Sequence, residues 1–173
     1  MKWEQIIGQQ SIKNLLQDSI KDSRVGHAQL FVGEEGFGVL PLALAMAQEI
    51  FEKENPASVH KVENLNHLDL HFSFPVFTEN KNSLSKRLFD QWREFILENP
   101  YSSFDDWTSF LESENKQFFI SADEAEDIGQ RFNLKSFEGG SKILIVWRAD
   151  KMNDAAANKI LKFLEEPPKN TFI

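Results

Sequence analysis

Six residues, Gly33-Glu34-Glu35-Gly36-Phe37-Gly38, constrain this chain more than any others. They follow a short apolar run, His27-Ala28-Gln29-Leu30-Phe31-Val32, whose length predicts a strand. They precede an alanine-rich apolar stretch over residues 39–51, which predicts a helix, with Pro41 tolerable only in its first turn. Three glycines in six residues let the backbone reverse sharply between the two elements. Strand, glycine loop and helix in that order form the opening unit of an α/β fold of the nucleotide-binding kind.

The rest of the chain supplies matching parts. Residues 3–25 place Ile6, Ile7, Ile12, Leu15, Leu16, Ile20 and Val25 near helical spacing, with a break at Gly8. Residues 52–66 are polar. In 68–74, Leu68, Leu70, Phe72 and Phe74 alternate with polar residues, predicting a strand buried on one face and ended by Pro75. Residues 77–117 read as an inserted helical segment. Leu84, Leu88, Trp92, Phe95 and Ile96 share one helical face, Pro100 closes it, and Ser103 caps a second helix carrying Trp107, Phe110 and Leu111. These aromatics predict a satellite core under the insertion, favoured over the alternative of a partner surface. Phe118-Phe119-Ile120 reads as a short edge strand, and Ser121 with Glu124 as a capping box on a helix reaching about Lys135. Lys142-Ile143-Leu144-Ile145-Val146-Trp147 is continuously apolar after its lysine, as a central parallel strand covered on both faces must be. Asn153 or Asp154 caps a last helix, which Pro167-Pro168 ends, and a strand starts at Thr171. A strand that begins on the last residues reads as a piece of a longer protein. No internal repeat or low-complexity segment is present.

Composition removes whole classes of chemistry. The 173 residues suit one domain, or one domain with an insertion, and 41% hydrophobic content is too high for a disordered chain. With no cysteine there is no disulfide, thiolate zinc site, Fe–S cluster or thiol nucleophile. No G-x-S-x-G elbow brings a serine to a histidine and an acid. A net charge of −8 has the wrong sign for a DNA-binding module, leaving only a local patch or a role inside an assembly. No apolar run reaches the roughly 18 residues of a membrane helix, and no secretory h-region is visible, so the expected location is cytoplasmic and away from membranes.

The nucleotide chemistry itself is missing. A phosphate-binding loop needs G-x-x-x-x-G-K-[ST], its lysine reaching the β/γ-phosphates and its hydroxyl binding Mg²⁺. Here Gly33, Gly36 and Gly38 keep the glycines, but Val39 stands at the lysine position and Leu40 at the hydroxyl position. Glu34 and Glu35 would repel a triphosphate. The apolar strand 143–146 should end in carboxylates that hold the metal and polarise water. It ends in Trp147 and Arg148, with Asp150 beyond, more simply a loop or capping residue. The expectation is a nucleotide-binding scaffold with no catalytic residues, no cofactor and no metal.

Three stretches resemble the AAA+ clamp-loader subunits of bacterial DNA polymerase III, most closely those of δ′ type. The first is Trp3-Glu4-Gln5-Ile6-Ile7-Gly8-Gln9 together with Arg24-Val25-Gly26-His27-Ala28-Gln29-Leu30-Phe31-Val32-Gly33. The second, Asn66-His67-Leu68-Asp69-Leu70, is similar to an N-H-P-D-x motif. The most specific is 149–168, which resembles A-D-x-M-x-x-x-A-x-N-x-L-L-K-x-L-E-E-P-P across a whole helix. The resemblance implies a RecA-like parallel sheet with helices on both faces, spanning 1–173, with lid and collar domains elsewhere in the full-length protein. It also implies a five-subunit ring, with ATPase subunits of γ/τ type and δ as partners, acting on the sliding clamp and primed DNA. Within that family, loss of the chemistry at Val39, Leu40, Trp147 and Arg148 favours the non-hydrolysing δ′ branch. The alternative is an ATP-hydrolysing γ/τ-like subunit with atypical motifs. The family's S-R-C arginine would fall beyond Ile173. Without the collar that holds the ring, the isolated domain is expected to be monomeric. Many relatives carry a four-cysteine zinc module near 52–66, which this chain lacks. A substitute from His67, Asp69 and His71 is outweighed by the reading that these are exposed polar residues opposite Leu68, Leu70 and Phe72.

Overall fold

The computed structural model describes all residues from 1 to 173. At its centre, three parallel strands lie in the order β1-β2-β3: β1 is Leu70–Ser73, β2 is Lys142–Val146 and β3 is Thr171–Phe172. Leu70 pairs with Ile143 and Ser73 with Val146, while Lys142 pairs with Thr171. The side chains of β2 alternate between two cores. Ile143 and Ile145 join the large cluster that includes Phe51, Phe72 and Trp92, and Leu144 packs with Ile128, Phe132 and Ile160 on the opposite face. Each face is therefore covered by helices. On the first lie α2 (Val39–Glu54) and α4 (Phe89–Glu98); on the second lie α6 (Ala122–Asn133) and α7 (Asp154–Glu165). Helix α1 (Gln10–Lys21) packs outside α2, and the short α3 (Val59–Glu63) follows it. The expected fold class, α/β with a parallel sheet and helices on both faces, is observed. No helix is long and apolar enough to cross a membrane.

Helix ends follow their capping residues. Ser103 Oγ accepts from the Asp106 amide and the Asp106 carboxylate accepts from the Ser103 amide, which starts α5 (Phe104–Phe110) with a full capping box. Asn153 caps α7 by accepting from the Ala156 amide at 2.8 Å. Ser121 caps α6 in the same way, but the expected box there is only half formed. The Glu124 side chain turns away and accepts from the amide and hydroxyl of Ser85, at 2.8 and 2.6 Å. It is buried, so it ties the segment before α4 to α6 rather than closing its own helix.

Several elements differ from their expected form. Residues 3–25 contain a 3-10 turn at Trp3–Gln5, and α1 ends at Lys21. The run 27–32 is not a strand. It makes two strand-like bonds with one neighbour, from the Gln29 amide to Ile173 O and from the Ile173 amide to His27 O, each 2.8 Å. Leu30 and Val32 are 83% and 84% exposed. The strand expected over 68–74 is shorter and is buried on both faces. Leu68 is 56% exposed, whereas Asp69 and Ser73 are buried. Phe119 and Ile120 form single bridges to Val76 and Met152 rather than an edge strand.

The aromatics of 77–117 do not form a satellite core. They complete the main one. Trp92 lies parallel to Phe74 with ring centroids 4.7 Å apart, Trp107 meets Phe74 edge-on at 5.7 Å, and Trp107 Nε1 donates to Pro75 O at 3.1 Å. Both tryptophans are fully buried. The segment therefore contributes large apolar area to the same core that covers β1 and β2. The buried Glu124 fixes how that segment meets α6. Glu124→Ala is expected to strand the Ser85 amide and lower stability by about 2–3 kcal/mol, read as a reduced urea midpoint at unchanged slope. Glu124→Gln keeps one acceptor and should lose less.

Candidate functional site

The glycine loop joins the extended segment 27–33 to α2. Gly36 and Gly38 have φ of +79° and +90°, a left-handed backbone that other residues adopt only with strain. Gly38 is also the residue whose carbonyl accepts the first bond of α2, from the Leu42 amide at 3.0 Å. A Cβ on Gly33 would lie 2.8 Å from a Val39 methyl. The residues at the two chemical positions point to packing. Leu40 is buried in the main core and Val39 closes against Gly33.

The end of β2 faces this loop. Trp147 is buried among Trp92, Phe95 and Phe104, with centroids 6.3–6.5 Å away. Arg148 takes a left-handed backbone, φ +60°, and its Nε and Nη2 donate to both oxygens of Asp150 at 2.8 and 2.7 Å. That pairing holds the Asp150 carboxyl below the usual carboxylate range. The remaining guanidinium nitrogen, Nη1, pairs with Glu35 of the glycine loop. Glu35 also accepts from the Phe104 amide at 3.2 Å. One strand-end guanidinium is thus shared between Asp150 and a carboxylate of the loop across the cleft. The cavity around them has a volume of about 1020 Å³, and Gly36, Gly38, Tyr101, Trp147 and Arg148 are in its wall.

The chain matches the family described as "DNA polymerase III, delta subunit" over residues 8–173. It belongs to that family. Among similar proteins, the DNA polymerase III subunit delta' of Bacillus subtilis is 29% identical over 170 residues, covering 94% of this chain and 40% of the relative. The subunit delta' of Buchnera aphidicola is 36% identical over 67 residues, 39% of this chain and 20% of the relative. That of Haemophilus influenzae is 38% identical over 53 residues, 31% of this chain and 16% of the relative. The chain therefore spans at most about two-fifths of the length of these relatives. The resemblance read from its three motif stretches holds.

In this delta-family domain the structure brings together the loop glycines, Val39, Trp147 and Arg148 around one cleft, and sends Leu40 into the core. Sequence reasoning missed two participants. Glu35 reads as a repulsive charge in isolation, and only its pairing with Arg148 gives it a role. Tyr101, the single tyrosine, lies in a turn between two helices with no spacing that points to the loop. Its hydroxyl accepts from the Ile7 amide at 2.9 Å, and its ring Cε1 lies 3.4 Å from where a Cβ on Gly38 would be.

His67, Asp69 and His71 are not the exposed polar face expected of them. Asp69 is buried and accepts from the Phe137 and Glu138 amides and the Ser136 hydroxyl, at 2.9–3.0 Å, fastening the turn before β2. His67 Nδ1 accepts from the Asp69 amide, its ring stacks on Phe51, and Nε2 faces Glu138 at 3.5 Å. His71 lies elsewhere, edge-on to Phe132. No three His, Asp or Glu side chains in the chain are grouped as metal ligands. Burial first, and then the Arg131 charge, lower the His71 pKa to about 4, while Asp69 and Asp127 oppose and Lys142 assists. The folded value lies below the unfolded one near 6.5, so acid favours the unfolded chain. The His71 contribution is fully present above pH 6.5 and is lost as pH falls toward 4. It amounts to about 2–3 kcal/mol after allowance for partial exposure. Urea denaturation between pH 7 and 4 should show a shallower decline in His71→Gln than in the unaltered protein.

Proposed function

We propose that this domain is part of a δ′-type accessory subunit of the DNA polymerase III clamp loader, and that its cleft neither binds nor hydrolyses nucleotide. One observation carries the reading: the Glu35–Arg148 pair occupies the ground between the glycine loop and the end of β2. A hydrolysing site needs there a lysine, a hydroxyl and metal-binding carboxylates. Val39 and Leu40 supply neither charge nor metal ligand, and Arg148 puts a cation where a divalent ion would bind. We read residues 1–173 as a single RecA-like domain with an insertion at about 77–117, and the relatives' greater length leaves room for lid and collar domains. The subunit acts through contacts with γ/τ-type ATPase subunits and δ, helping to place the sliding clamp on primed DNA. Its own charge of −8 supports a role in which neighbours, not this domain, bind the phosphates.

Calorimetric titration of MgATP into the full-length protein tests this reading, with no heat of binding expected up to millimolar nucleotide. Micromolar binding, or ATPase activity of the subunit alone, would instead establish the γ/τ-like alternative. The 1–173 domain by itself should scatter light as a monomer, and a stable ring of the isolated domain would contradict a subunit assembled mainly through other domains.

A further inference from the structure

The turn 100–104 between α4 and α5 touches the entry segment, the glycine loop and the end of β2. Tyr101 accepts from the Ile7 amide and lays its ring against Gly38, while its carbonyl oxygen lies 3.9 Å from the Cβ position of Gly36. Phe104 donates its amide to Glu35, and its ring lies under the Arg148 guanidinium at 5.2 Å. The turn is itself held firmly. Asn99 accepts from the Tyr101 amide through its side chain at 3.0 Å and from the Ser102 amide through its carbonyl at 3.1 Å, and the Ser103 capping box begins α5. On either side, Trp92 and Trp107 anchor the helices in the core.

In a nucleotide-binding domain of this fold, the ligand's phosphates organise the glycine loop and the metal joins them to the strand end. Here the same two elements are joined by protein groups. We propose that the turn 100–104 is a built-in brace in the wall of the cleft, which, with Glu35 as its anionic partner for Arg148, holds the glycine loop against the end of β2 in place of a nucleotide. The inference rests on the reading that the cleft is nucleotide-silent, and adds what keeps its loop ordered without a ligand. It also gives residues 77–117 a role beyond filling the core.

Hydrogen exchange in the full-length protein tests the proposal at the Ile7 amide and at Phe37, whose amide donates to Glu34 O within the loop. Glu35→Ala combined with Tyr101→Ala should speed exchange at both by about tenfold or more, leaving the amides of β2 and α6 protected. Tyr101→Phe keeps the ring over Gly38 and should speed Ile7 alone. Removal of the exposed Lys159–Glu126 pair by Lys159→Ala should change neither. Unchanged exchange at Phe37 in the double variant would overturn the proposal, even if the unaltered protein binds no MgATP. MgATP binding by the unaltered protein would instead overturn the nucleotide-silent reading on which it rests. If the double variant loses protection throughout, the single Glu35→Ala and Tyr101→Phe variants decide by the same amides.

Discussion

A strand with apolar side chains on both faces must be covered twice, and β2 places that demand on the whole chain. Ile143 and Ile145 require one layer and Leu144 another. Helices α6 and α7 are drawn to the second face by Ile128, Phe132 and Ile160. The first face is larger, because β1 lies beside β2 and adds Leu70 and Phe72 to it. The alanine-rich α2 cannot cover so wide a surface alone. The aromatic helices α4 and α5 complete it, which is why their tryptophans are wholly buried.

That requirement decides where the turn between α4 and α5 must go. Once Trp92 and Trp107 are fixed against Phe74, the short connection between their helices emerges beside the glycine loop. Packing therefore delivers Tyr101 and Phe104 to the cleft. The polar interactions there are individually modest, since Glu35 and Asp150 are both substantially exposed and water screens their pairing with Arg148. Their consequence is geometric rather than energetic. They tie the end of β2 to a loop that has no side-chain ladder of its own.

The elements that could be read from the chain are those whose signals are local. The glycine loop, the β2 run and the Ser103 and Asn153 caps each depend on residues within a few positions, and each folds as its pattern requires. Of the expected face 84–96, only Trp92, Phe95 and Ile96 lie in α4, Leu88 being in a 3-10 turn and Leu84 before it. What could not be read depends on neighbours distant in sequence. Residues 27–32 have the composition of a strand, and their backbone bonds run to Ile173, more than 140 residues away. Glu124 has the spacing of a capping residue, yet Ser85 offers its carboxylate two donors at once. Asp69 looks like an exposed strand position until the turn 136–138 closes on it. At the cleft, Glu35 and Tyr101 gain their contacts from partners more than sixty residues away.

The glycines themselves illustrate why a scaffold outlasts its chemistry. At the two chemical positions at the start of α2, Leu40 is buried in the main core and Val39 is half-buried against Gly33. Gly36 and Gly38 serve the backbone, which is left-handed at both, whereas a Cβ on Gly33 would meet only the Val39 methyl. Charge is balanced in the same cleft. The Arg148 guanidinium at the end of β2 has two anionic partners, Asp150 close by in sequence and Glu35 from the loop, so the loop is tied to the strand end through a cation that is already paired.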